Sequence, residues 1–142
     1  MKNIGRIVLP IIILLLTVRI NAVPVKAFDM IVRNLPNSEQ LPTKELLCIF
    51  QDSEGYMWYG TEGGGLCRDD GYMVKVFRSD FKNPGVLENN SVTCITEDGE
   101  GKIWFGTKRG VYILSKTDYE IRALADETIK GWTITTMTAT SD

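Results

Sequence analysis

The sequence predicts an all-β fold assembled from four-stranded antiparallel units that repeat along the chain. Two observations carry this. The stretch Cys48-Ile49-Phe50-Gln51-Asp52-Ser53-Glu54-Gly55-Tyr56-Met57-Trp58-Tyr59-Gly60-Thr61 returns 46 residues later as Cys94-Ile95-Thr96-Glu97-Asp98-Gly99-Glu100-Gly101-Lys102-Ile103-Trp104-Phe105-Gly106-Thr107, with 8 identities in 14 ungapped positions. Unrelated segments of average composition would share about one. Within each copy, short apolar runs of strand length alternate with turn residues, the punctuation of an all-β repeat.

Taken in order, residues 28–35 read as a short strand ahead of the first full unit, ended by Pro36-Asn37-Ser38. The first unit spans 45–78, with strands expected at 45–51, 57–61, 66–68 and 73–78. The second spans 91–124, with strands at 91–97, 103–107, 111–115 and 120–124. A polar loop, 79–90, joins them. A third unit begins at 134–142, because 134–140 matches 92–98 at a spacing of 42. The chain is expected to be a fragment that stops inside this third repeat.

The residue chemistry of the repeat is mostly that of a scaffold. In Asp52-x-x-Gly55 and Asp98-x-x-Gly101 an Asp bonds back to the backbone two residues on, and Gly takes the positive φ that closes a bulged turn. The alternating acids and closing Glu of a calcium loop are absent, so no metal site is expected here. Met57 to Thr61 and Ile103 to Thr107 are apolar on both faces, which suits an inner strand covered by like sheets on either side. Trp58 and Trp104 then pack between sheets, the alternative being a carbohydrate-stacking platform. Gly60 and Gly106 leave room where the neighbouring sheet comes close, and Thr61 and Thr107 satisfy turn backbone groups. Glu62-Gly63-Gly64-Gly65 lacks the lysine and following helix of a nucleotide loop.

Four-stranded units of 40 to 50 residues, apolar on both faces, are what a β-propeller stacks around its axis. About two blades and the start of a third are present, so an incomplete ring with uncovered end faces and a tendency to aggregate is expected. In a complete ring, strand 28–35 would join the last blade as its outer strand.

Composition bounds the rest. The chain has 142 residues, 44% of them apolar and 24% charged, which is globular. It has no histidine, and so lacks the commonest general base, metal ligand and kinase phosphoacceptor. Lys2 and Arg6 precede an apolar run at 7–18, and Ala22 or Ala27 offers a cleavage point, so residues 1–27 read as a signal peptide. That run reaches about 18 Å as a helix, short of the roughly 30 Å of bilayer hydrocarbon. Cleavage removes four basic residues and no acid, taking the net charge from −2 to −6 and leaving no case for nucleic acid or anionic lipid. Three cysteines cannot all pair. Cys48 and Cys94, each beside an isoleucine at equivalent positions, are expected to be free and buried.

The paired runs, followed by Gly65-Leu66 and Gly110-Val111, resemble the two-component regulator propeller repeat, whose pattern is an apolar strand, Asp-x-x-Gly, Trp-x-Gly-Thr and a Gly-Leu step. Arg68-Asp69-Asp70-Gly71-Tyr72 fits the step that follows, while Cys67-Arg68 and Tyr112-Ile113-Leu114 depart from the pattern. The resemblance implies the periplasmic amino-terminal sensor of a hybrid two-component histidine kinase. It would be exported, belong to an inner-membrane-anchored protein, and signal ligand binding to a cytoplasmic kinase absent from this chain. The implied partners are a small-molecule or oligosaccharide ligand, the remaining blades and kinase region, and a second receptor copy in a homodimer. No catalytic residue, cofactor or metal is expected. An exported propeller enzyme acting on glycans and a protein-interaction scaffold are the other readings. Ligand contacts are expected in loops 62–65 and 79–90, with Arg78 and Lys82 available, but no single residue is singled out.

Overall fold

The computed structural model describes residues 35–79 and 87–140. The leader, most of the expected 28–35 strand and Lys82 lie outside the described residues. After a 3-10 turn at Ser38–Gln40 come eight strands: β1 Leu46–Gln51, β2 Met57–Thr61, β3 Leu66–Asp69, β4 Val74–Phe77, β5 Val92–Glu97, β6 Ile103–Thr107, β7 Gly110–Leu114 and β8 Ile121–Ala123. They form two antiparallel sheets, β1-β2-β3-β4 and β5-β6-β7-β8, each a propeller blade whose strands lie side by side in chain order. The sequence pattern placed every one of these strands to within a residue at each end.

The two blades share their irregularities as well as their order. Cys48 pairs Gly60 and Cys94 pairs Gly106, and the register slips by one residue just before each cysteine. The extra residue bends the inner strand and sharpens its twist. Because a register step turns side chains to the other face, both bulges must fall at the same place for both blades to present the same surface.

The hydrophobic core lies between the blades. Trp58, Leu66 and Phe77 from the first meet Val92, Ile103, Phe105, Tyr112 and Leu114 from the second, with Leu87 from the connection. Phe77 stacks on Trp58 with ring centres 6.1 Å apart, and Phe105 on Tyr112 at 5.6 Å. At about 1.5–3 kcal/mol for each fully buried large apolar side chain, this seam supplies most of the attraction between the sheets. Strand β5 runs against β1 and β2, and Gly60 sets how close it comes. A β-carbon on Gly60 would stand 2.3 Å from Cys48 Sγ and 2.6 Å from the Val92 carbonyl oxygen of the next blade.

Residues 134–140 form no strand, although their sequence matches β5. Ile134 is seated on the second blade by backbone hydrogen bonds. Its N–H donates to the Thr107 carbonyl at 3.0 Å, its carbonyl accepts from the Thr93 hydroxyl, and its side chain lies 2.7 Å from where a Gly106 β-carbon would be. That is the seat Val92 takes over Gly60. Beyond Ile134 the segment has no hairpin partner among the described residues, and a lone strand does not hold its ladder.

The two glycines predict unequal costs. At Gly60→Ala the obstacle includes a backbone carbonyl in the opposing sheet, whereas at Gly106→Ala it is side-chain atoms that can give way. Urea unfolding should place Gly60→Ala about 2–4 kcal/mol below the parent and Gly106→Ala about 1–2 kcal/mol below. Equal losses would show that the inter-sheet distance is not set at Gly60.

Candidate functional site

Each repeat builds one polar device around its Asp. In the first blade Asp52 Oδ1 accepts the backbone N–H of Glu54 at 3.0 Å and of Tyr56 at 2.9 Å, while Oδ2 accepts the Trp58 indole N–H at 2.8 Å. Gly55 closes the turn at φ 90°. The second blade repeats this: Asp98 Oδ1 takes Glu100 and Lys102 N–H at 2.9 Å each, and Oδ2 takes the Trp104 indole at 2.7 Å. One carboxylate thus folds a turn and neutralises the one polar atom of a tryptophan that must be buried. Burial works against the charge on Asp98, but the indole and backbone donors outweigh it and hold its carboxyl below the usual range.

Thr61 and Thr107 turn their hydroxyls onto the Gly65 and Gly110 carbonyls, closing the β2–β3 and β6–β7 turns. The three cysteines are free, and Cys67 and Cys94 are buried while Cys48 is half-buried. Burial pushes the Cys48 and Cys67 thiols up to about 11 and raises Cys94, so none is a thiolate nucleophile near neutral pH. Among the described residues no group of His, Cys, Asp or Glu could hold a metal ion.

The first Asp turn is also tied across the seam. Glu97, at the end of β5, accepts the Ser53 N–H at 2.7 Å and hydroxyl at 2.8 Å. Lys116 reaches Glu97 at 2.6 Å, Glu54 at 3.2 Å and Asp52 at 3.6 Å, with its own side chain 12% exposed. Burial opposes charge on both partners, yet these bonds prevail, lowering Glu97 and raising Lys116. Sequence reasoning missed this pair. The available signal was that Glu97 stands where the first copy has Gln51.

Loop 62–65, one of the two expected to meet a ligand, is tied to the next blade. Glu62 accepts from Lys108 at 2.6 Å and from the Ser91 hydroxyl at 3.1 Å, and Gly65 N–H bonds to Asn90 carbonyl at 2.8 Å, so loop 62–65 fastens one blade to the next. Asn90 also holds both backbone groups of Ser79, pinching the described ends of the connecting loop together. Arg78 is exposed. Two other places have unspent chemistry. One is a cleft of about 380 Å³ beside Trp104, lined by Thr96, Asp98 and residues 137–140. The other lies at the outer end of the seam, where Arg68 and Lys75 of the first blade meet Tyr56 and Tyr119.

Two measurements test the seam. Trp58→Phe keeps the ring but leaves Asp52 Oδ2 in a fully buried side chain without its indole donor. It should cost about 2–3 kcal/mol, against about 1 kcal/mol for Trp104→Phe, whose Asp98 keeps contact with water. The reverse order in chemical denaturation would refute the clamp. Glu97, held below its ordinary value of 4.5 in the folded chain, contributes stability that is complete above that pH and is lost as pH falls through the lower folded value. Urea midpoints measured from pH 7 downward should therefore drop on the acid side, and Glu97→Gln should make that drop shallower. An unchanged slope would remove Glu97 from the account.

No curated protein matches the chain. A family model does, twice: the two component regulator propeller matches residues 40–63 and 86–109. Each match covers an inner strand, the Asp turn and the Trp strand of one blade, the same parts that the hydrogen bonds repeat. Over these two stretches the chain is similar to two successive repeats of the two component regulator propeller.

Proposed function

We propose that this chain is the ligand-sensing propeller region of a two-component regulator, exported to the periplasm and coupled to a cytoplasmic kinase encoded elsewhere in the full-length protein. The observation that carries this is the tandem family repeat folded as two blades, together with the charged, apolar leader at 1–27. The region acts without catalysis. The acids support this: Asp52 and Asp98 bind turns and indoles, and Glu62 and Glu97 make contacts between blades. Its ligand, an oligosaccharide or other small molecule, signals by preferring one of two arrangements of the complete receptor, since only differential affinity shifts such an equilibrium.

The test has two arms. The reading frame containing this chain should encode a membrane-spanning segment and a kinase region, and the exported protein should show a rise in melting temperature with at least one member of an oligosaccharide library. A frame without a kinase region, or an amino terminus kept in the cytoplasm on fractionation, would overturn the proposal.

A further inference from the structure

Arg68 and Lys75 are directly opposed partners on β3 and β4 of the first blade. Like charges in that relation repel. The surroundings only partly answer them. The Arg68 side chain is 14% exposed, and its Nε is buried with no hydrogen-bond partner among the described residues. Asp70 is the nearest acid, 3.6 Å from the guanidinium, and its other oxygen is spent on the Tyr72 and Met73 N–H groups. The remaining compensation comes from aromatic rings. Arg68 lies 4.4 Å from the ring centre of Tyr56 and 5.2 Å from that of Tyr119, while the Lys75 ammonium sits 3.4 Å above Tyr119. One guanidinium nitrogen donates to the Tyr119 hydroxyl.

The second blade completes the same position within the sheet without a cation. There Ile113 stands where Arg68 stands, opposite Trp104 as Arg68 is opposite Trp58, and its β8 partner is Arg122, which is paired with Glu120. Lys102 replaces Tyr56 in the repeat. An apolar residue thus completes the same blade position, and the first blade accepts an incompletely satisfied, repelling pair instead. Tyr119 adds a second irregularity. With Asn37 it is one of two non-glycine residues at positive φ among the described residues, at 60°. A bulky residue there is an outlier that costs conformational energy.

We propose that Arg68 and Lys75 are a seat for a carboxylate, with Tyr119 holding the place of the ligand: its hydroxyl stands where a carboxylate oxygen would accept from Arg68. Arg is suited to planar recognition of a carboxylate, and Lys adds a second charge from an exposed strand edge. Tyr56 flanks the seat with a ring on which a sugar can lie, so the ligand class is a carboxylate borne by a sugar ring. The proposal deepens the ligand-sensing reading by naming a site and a ligand class, and rests on that reading only for the purpose of binding.

The full 142-residue chain is titrated with trigalacturonate, maltotriose and acetate while the arginine Nε–H resonances are followed by NMR. Trigalacturonate should shift the Arg68 Nε–H signal; Lys75→Gln, at an exposed position, should weaken that binding about tenfold with the apo spectrum otherwise retained. Tyr119→Gly, which removes both the place-holder and the positive-φ cost, should tighten it about threefold or more. An acetate titration that moves the same signal equally well also supports the seat and assigns it to free carboxylates. The site is overturned by no Arg68 shift with either carboxylate up to about 10 mM, or by equal affinity in Lys75→Gln. A rise in melting temperature with maltotriose, combined with no Arg68 shift from either carboxylate, would sink the carboxylate seat and leave ligand sensing intact.

Discussion

The fold depends on a problem posed by its own tryptophans. A sheet stacked between two others needs large apolar side chains on its inner strands, and tryptophan fills that space while carrying one donor that cannot be left unanswered in a dry interior. The chain answers it with a residue needed anyway. Asp52 must be present to close the β1–β2 turn, and its second oxygen reaches the indole six residues on. Turn, strand register and packing are thereby fixed by one carboxylate. A slip of one residue between β1 and β2 would carry Trp58 to the other face and break all of these bonds together.

Attraction and specificity between the blades come from different groups. The apolar seam is large but non-directional, and stacked sheets of this kind could slide. Glu97, Lys116 and Ser53 at one end, and Glu62, Lys108 and Ser91 at the other, make short bonds that exist only in the observed alignment. Exposed ion pairs contribute little to stability, so Lys108–Glu62 mainly sets position. Lys116–Glu97 is different: both side chains are nearly enclosed, and loss of either would leave a charge stranded between the sheets.

The sequence showed the blades because strand periodicity and turn chemistry are local, and a repeat states them twice. Asp52, Gly55, Gly60 and Thr61 were readable in their local roles for that reason. The Asp–indole bond was not, since nothing in a spacing of six residues says which way a tryptophan side chain turns. Lys116 and Tyr119 were equally invisible. Both sit in the β7–β8 turn, outside the recurring stretch, and both act on the other blade. The ties of loop 62–65 to Ser91 and Asn90 were invisible for a related reason, since they join residues of different blades.

Internal repetition also provides a control that a single domain lacks. Wherever the two copies differ at one structural position, the fold has demonstrated that it accepts both residues, and the difference must be explained by something other than folding the blade. Gln51 and Glu97 differ because only the latter faces a preceding blade's turn, at Ser53. Arg68 and Ile113 differ where only the former meets a neighbouring blade's turn, at Tyr119, and that contact still leaves the Arg68 Nε without a hydrogen-bond partner among the described residues. Both lie beside the blade's tryptophan, both are third-strand residues, and the apolar choice is the less costly one in a nearly enclosed position. A nearly enclosed cation that reaches the next blade and still has an unanswered donor therefore has hydrogen-bonding capacity beyond what holds the blades together.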